Sequence, residues 1–228
     1  MLHFHIITLF PESIEPYLKS SIIGRAIEKR LIKISFYDPK KFAVGKHRRV
    51  DQRPYGGGPG MILEPTAVLR ATDAAFKKAG PRGSTSGAIG KREAAKLFFS
   101  TDGAMFDERM AQRLSKKRNI ILICGRYEGV DARVQKILKA KKISVGPYVL
   151  TGGELPAATV IDAVARFVLG VLGKAESLEA SRVSSPEVYT RPEVLRWKDK
   201  NYRVPKVLLT GNHKKIDAWK LQHKKQHS

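Results

Sequence analysis

The chain has 228 residues, 42% of them hydrophobic, and its 43 lysines and arginines against 21 aspartates and glutamates give a formal net charge of +22. Length and apolar content exclude a wholly disordered chain and allow one large domain, or one domain with a small appendage. A single cysteine, Cys124, excludes a disulfide framework and a cysteine-rich zinc site, and fits a reducing compartment.

The opening segment, His3 to Leu9, is predicted to be a strand, followed by the breaker pair Phe10-Pro11. Ser13 to Arg30 is predicted helical from Ile14, Leu18, Ile22 and Ile27, and Leu31 to Tyr37 alternates as a second strand. A long loop from Asp38 to Gly60 is basic first and then glycine-rich. Glu64 to Ala79 is predicted to form a helix, and Gly80 to Gly90 an exposed turn.

Three short apolar runs follow, each leading into glycine. Leu97 to Phe99 runs into Ser100-Thr101-Asp102-Gly103, Asn119 to Cys124 into Gly125, and Ile143 to Leu150 into Thr151-Gly152-Gly153. Helices are predicted between them at Asp107 to Lys116 and Asp131 to Lys141. Continuous apolar strands alternating with helices indicate an α/β fold, a mostly parallel sheet with helices on both faces. Such sheets take ligands at the loops leaving the strand ends. Leu155 to Leu172 is predicted to be an apolar helix with Pro156 in its first turn.

Composition changes after Gly173. Residues 1–173 are expected to form the ligand-binding domain, 174–193 a polar linker and 194–228 a small basic carboxyl-terminal domain. The last segment carries ten lysines and arginines against Asp199 and Asp217. It is predicted to hold a strand at Val204 to Leu209 and a basic helix at Lys214 to Lys225.

No run approaches the roughly 18 apolar residues of a membrane span. The amino terminus lacks the basic and apolar regions of a secretion signal. A cytoplasmic location is therefore expected, with no membrane partner and no DNA. The charge implies a polyanion, for which nucleic acid is the first choice.

Several clusters carry candidate chemistry. Tyr55-Gly56-Gly57-Gly58-Pro59-Gly60-Met61 lacks the Gly-Lys-Ser/Thr ending of a P-loop. It reads either as a tight turn or, beside Lys46-His47-Arg48-Arg49 and Arg53, as a loop that meets a phosphodiester backbone. Gly125-Arg126-Tyr127-Glu128-Gly129 puts charged groups at a strand's carboxyl end. There Glu128 could hold a substrate amino group, a metal-bound water or Arg126. Gly146, Gly152 and Gly153 bracket Tyr148 and Leu150, a pattern suited to an apolar cofactor pocket. Asp162 and Arg166 share a helix face, so they either pair or leave Arg166 pointing into the pocket. The histidines show no metal-ligand spacing, and no Gly-x-Ser-x-Gly supports a hydrolase.

Taken in order, YGGGPGM, LICGRYEGVDARV, SVGPYVLTGGELPA, RFVLGVLG, YTRPEVL and VLLTGNH resemble the bacterial tRNA (guanine-N1)-methyltransferases of the knotted SPOUT type. The resemblance spans roughly residues 1 to 217. It implies a deep trefoil knot and a homodimer with active sites at the subunit interface. It also implies S-adenosylmethionine as cofactor, magnesium, and methyl transfer to N1 of the guanosine just 3′ of the tRNA anticodon.

Carried over by motif, Ser100, Thr101, Gly125, Val145, Gly146, Pro147, Tyr148, Val149, Leu150, Gly152, Gly153 and Pro156 are cofactor-binding positions. Glu128 and Arg166 are the polar active-site residues. His47, Arg48, Arg49, Tyr55 to Gly60, Lys214 and Lys215 are expected to meet tRNA. The chain departs from the family at the general base, where an aspartate about fifteen residues beyond the arginine is Ser181 here. Glu179 is the substitute expected, with Glu176 the other choice. The first cofactor loop reads Ser-Thr-Asp-Gly in place of Ser-Pro-Gln-Gly, Pro147 replaces an acidic residue, and a shortened carboxyl-terminal domain is expected. Two alternatives remain: an RNA-binding member with weak or no catalysis, and a knotted methyltransferase acting on ribose 2′-OH.

Overall fold

Six consecutive buried residues, Leu2–Ile7, form β1. Side chains alternate across a strand, so a run buried throughout must lie inside a sheet covered on both faces. A computed structural model of the chain, which describes residues 1–45, 49–79, 94–172 and 187–225, shows that arrangement. After β1 come α1 (Glu15–Leu18), α2 (Ser21–Glu28), β2 (Ile32–Tyr37), the two-residue strands β3 (Asp51–Gln52) and β4 (Ile62–Leu63), and α3 (Pro65–Ala79). Then follow β5 (Ala94–Met105), α4 (Glu108–Ser115), β6 (Asn119–Ile123), α5 (Ala132–Leu138), β7 (Lys141–Ser144) and α6 (Glu154–Ala165).

The main sheet has the order β2-β1-β6-β5-β7, and its pairings are parallel. Residues of α1, α2, α4 and α6 pack on one face with Phe4, Ile6, Ile120 and Leu122. α3 and α5 cover the other face with Ile7, Ile121 and Ile123. Each fully buried Leu or Ile of this kind contributes about 1.5–3 kcal/mol. Asp107 and Asp131, which mark the helix starts in the sequence, accept backbone N–H bonds from Met110 at 2.7 Å and Arg133 at 2.9 Å. Those caps satisfy amides that the first turn leaves without partners.

The predicted helix over Ser13 to Arg30 is interrupted. The Ser20 hydroxyl donates to the Tyr17 carbonyl at 2.7 Å, Ser21 takes a φ of 50°, and α2 then starts afresh. β5 does not stop before Ser100 but runs on to Met105 through a bulge. Phe99 and Ala104 both pair with Ile143, leaving residues 100–103 outside the ladder. β7 ends at Ser144, so Val145 to Leu150 is a turn-rich loop rather than strand. α6 ends at Ala165, seven residues before the predicted limit. The predicted turn at Gly80 to Gly90 lies outside the described residues.

Contacts divide the chain into two compact units, Met1–Leu172 and Gly173–Ser228. Within the second, β8 (Val194–Trp197) and β9 (Lys200–Arg203) make an antiparallel hairpin, followed by α7 (Lys206–Leu209) and α8 (His213–Lys225). The strand predicted at Val204 to Leu209 is instead a helical turn after Pro205, whose fixed φ suits a helix start. The hairpin escapes the sequence because its turn is Lys198-Asp199, with Lys198 at φ 50°, not an Asn-Gly pair.

Candidate active site

β6, β5 and β7 are neighbours in the sheet, so the loops at their carboxyl ends converge. They enclose a cavity of about 470 Å³, within the range of small-ligand sites. Loop 125–130 forms one wall, the β5 bulge another, and the loop from Val145 to Gly153 a third. The Gly153 N–H donates to the Gly125 carbonyl at 2.9 Å, and Arg126 bridges Gly152 in antiparallel fashion. Ser144 Oγ closes the start of the third loop by donating to the Gly146 carbonyl at 2.9 Å.

Ser100, Thr101, Gly125, Val145, Gly146, Tyr148, Val149, Leu150, Gly152, Gly153 and Pro156 line this one cavity, and Glu128 lines it too. Pro147 is exposed and does not line it. Arg166 stands at the carboxyl-terminal cap of α6, half-buried and away from the lining. Asp162 accepts the Tyr17 hydroxyl at 2.5 Å.

The glycine loop sits at the tip of the β3–β4 hairpin, with Tyr55 fully exposed. Gly56, Gly57, Gly58 and Gly60 have positive φ, and Pro59 lies between the last two. Its carboxyl end docks on loop 125–130. The Glu128 N–H donates to the Met61 carbonyl at 3.0 Å, and Leu63 N–H to the Gly129 carbonyl at 3.0 Å. Gly60 has φ 85°, which favours glycine, and a Cβ there would stand 2.6 Å from the Glu128 side chain and displace it. The loop thus reaches the cavity through Glu128. Arg49 is exposed nearby in sequence; His47, Arg48, Glu179 and Ser181 lie outside the described residues. Lys214 and Lys215 are exposed in the first turn of α8, within the second unit.

Arg126 does not pair with Glu128. Its Nε lies 2.9 Å from Oε2 of Glu154, a residue only 2% exposed, and its guanidinium stacks on Phe10 at 4.7 Å. Glu154 is not among the candidates that the sequence motifs single out. Its one signal was an acid opening a strongly apolar helix just after a glycine pair. Cys124 is buried in the core beside this pair, and burial pushes its thiol far above the ordinary range, which rules it out as a nucleophile.

Among the described residues no group of three or more His, Cys, Asp or Glu could hold a metal ion. Among them, too, no helix is long and apolar enough to cross a membrane.

The family model described as tRNA (Guanine-1)-methyltransferase TrmD matches residues 2–228. The chain belongs to this family. A relative from Haemophilus ducreyi, named tRNA (guanine-N(1)-)-methyltransferase, is 45% identical over 221 residues, 95% of this chain and 83% of its own length. Relatives with the same name from Carboxydothermus hydrogenoformans and Clostridioides difficile are 40% and 38% identical. They are matched over 79% and 90% of their lengths, and over 94% and 96% of this chain. In terms of the TrmD family, the cavity is the place to test for a methyl donor. It is of ligand size, and its lining joins glycine backbone and apolar side chains to the Glu128 carboxylate and to the cations Arg126, Lys136 and Lys142. The apolar and backbone groups suit an aromatic base and Glu128 a cationic centre, while Arg126 and Lys142 are already paired with Glu154 and Asp102.

Proposed function

We propose that this chain is an S-adenosylmethionine-dependent methyltransferase that modifies N1 of the guanosine immediately 3′ of the anticodon in tRNA. The observation that carries the proposal is the family match over residues 2–228 together with the convergence of its three loop motifs on one cavity. When bound, S-adenosylmethionine would supply a methyl group already activated by its sulfonium. Loop 125–130 and the loop from Val145 to Gly153 would hold it, with the Glu128 carboxylate offered to its positive charge.

Guanine N1 carries a proton at neutral pH, so a general base must take it. Glu179 is assigned that role, with Ser181 at the position of the family's aspartate. Charge then grows on guanine O6, where a guanidinium stabilises it, and Arg166 is assigned there. Arg166 lies away from the cavity lining of its own chain, which supports a homodimer with sites shared across the interface. A knotted course of residues 1–173 belongs to the same proposal, as do a linker at 174–193 and a tRNA-binding domain at 194–228. Arg49, the exposed glycine loop, Lys214 and Lys215 would anchor phosphates, with His47 and Arg48 beside them. The described residues offer no donor cluster for magnesium. A cytoplasmic location follows from the tRNA substrate.

The test is nucleoside mass mapping after incubation of purified chain, S-adenosylmethionine and tRNA transcript with and without magnesium. N1-methylguanosine at the expected position supports the proposal. A 2′-O-methyl product, or cofactor binding without turnover, overturns it in favour of the corresponding alternative. Glu179→Gln should cut turnover at least a hundredfold if Glu179 is the base; unchanged turnover removes it from that role.

A further inference from the structure

We propose that Glu154 is a positioning residue: through Arg126 it fixes the spacing of the two loops that form opposite walls of the cofactor cavity. The inference rests on the methyltransferase reading for the identity of the ligand, but its geometry stands on the fold alone.

Glu154 opens α6 and does not itself line the cavity. Burying a carboxylate is costly unless it is both paired and hydrogen-bonded. Here Oε1 accepts the Thr8 hydroxyl at 2.6 Å, and Oε2 faces Arg126 Nε at 2.9 Å. Among the described residues neither Oε2 nor Nε has a hydrogen-bond partner, so their contact is an ion pair without a hydrogen bond. Each charge therefore depends on the other.

The three residues come from three different places. Thr8 follows β1, Arg126 follows β6, and Glu154 follows the loop that leaves β7. Their contacts tie the carboxyl ends of three strands together at the cavity floor. The Arg126 guanidinium is held from further sides by the Phe10 ring and by the Thr151 carbonyl, which it reaches at 3.4 Å.

Gly152 lies directly beneath the ion pair. A Cβ there would be 2.5 Å from both Arg126 Nε and Glu154 Oε2. The pair thus fills the space a side chain at Gly152 would take, beside the backbone that bridges Arg126 to Gly152. One loop carries Glu128 and the other carries Tyr148 to Leu150, so a change in their separation moves both walls against the ligand. A pair serving stability alone would need no such contact with the cavity's own backbone.

Glu154→Gln keeps size and shape but removes the charge that holds Arg126. Thr8→Val removes the hydroxyl that donates to the Glu154 carboxylate and accepts the Phe10 N–H at 3.0 Å. Neither residue lines the cavity, whereas Arg126 and Gly152, which the ion pair touches, both do. Leu114→Ala in α4, a buried site outside the lining, serves as a control that loses stability without touching the network.

Titration calorimetry with S-adenosylmethionine and full-length dimer or monomer, as purified, gives the primary readout. Glu154→Gln is expected to raise the dissociation constant about tenfold and Thr8→Val about threefold, with Leu114→Ala within twofold of wild type. In steady state the cofactor KM should rise in parallel, with kcat within about threefold and the tRNA KM unchanged. Wild-type affinity in Glu154→Gln or in Thr8→Val would overturn the proposal, as would an equal loss of affinity in Leu114→Ala. Failure of the wild type to bind S-adenosylmethionine would instead count against the methyltransferase reading. If Glu154→Gln does not fold, Thr8→Val decides the matter by the same criterion.

Discussion

Gly153→Ala separates a steric cause from a conformational one. Gly153 has φ −83° and ψ −3°, a conformation that alanine adopts freely, so the backbone itself exacts no penalty. The added Cβ, however, would stand 2.6 Å from Cys124 Cα and 3.0 Å from both Cys124 Cβ and Gly125 N. Ordinary carbon contacts need about 3.5–4.0 Å, so the start of α6 must retreat from β6 by about 1 Å. That retreat stretches the 2.9 Å bond from Gly153 N–H to the Gly125 carbonyl, which joins two cavity walls. Overpacking of this kind costs about 1–3 kcal/mol, and a 1 Å misplacement costs up to about a hundredfold in rate. Thermal unfolding and calorimetric titration with S-adenosylmethionine should show a lower Tm and a cofactor affinity at least tenfold weaker. Gly56→Ala is the contrasting control. It has φ 88° and open space around the site, so it should lose about 1–2 kcal/mol of stability to local backbone strain and leave the cofactor affinity alone. Gly153→Ala with wild-type Tm and affinity would refute the steric reasoning.

Acid should weaken the fold through the amino-terminal strand. Burial, then His5, then Lys33 and Lys78, push His3 down to about 3, and burial pushes His5 down as well. Because the unfolded chain takes up these protons near pH 6.5, stability is full above that value and declines as pH falls below it. His3 alone accounts for about 2 kcal/mol between pH 6.5 and 5. Urea unfolding of His3→Gln should show a shallower loss over that interval; an unchanged pH dependence would defeat the assignment. Substituting Lys214 and Lys215 together by Gln should reduce the salt dependence of tRNA binding by about 1 to 2 in log–log slope. An unchanged slope removes them from phosphate contact. Cys124 should resist alkylating reagents in the native protein and react only after denaturation, since burial keeps its thiol protonated.

Much of the sheet is legible because β1 and β6 are mainly apolar, broken only by His3, His5 and Asn119, and Asp107 and Asp131 announce the helices they cap. What the sequence concealed was settled by contacts distant along the chain. The break between α1 and α2 lies where Gly24 packs so closely on the Lys19 carbonyl that a Cβ would stand 2.3 Å from it, a constraint no periodicity expresses. Val145 to Leu150 reads as strand because it is apolar, yet Val149 is 84% exposed. Its hydrophobic character belongs to a cavity wall, not to the core. The same segment was nevertheless assigned to the ligand, because glycine on both sides marks a loop whichever structure lies between. Glu154 was missed for the opposite reason. Its partners are Thr8 and Arg126, 146 and 28 positions away, and nothing local distinguishes it from an acid favouring a helix amino terminus.

The bulge in β5 uncouples its tip from the sheet that carries it. Because Phe99 and Ala104 share one partner, Ile143, the four residues between them leave the ladder and re-enter it at the same rung. Asp102 in that tip lies 2.8 Å from Lys142 Nζ, a contact outside the core. A substitution at Asp102 can therefore alter the charge presented there while the strand pairing on either side is kept.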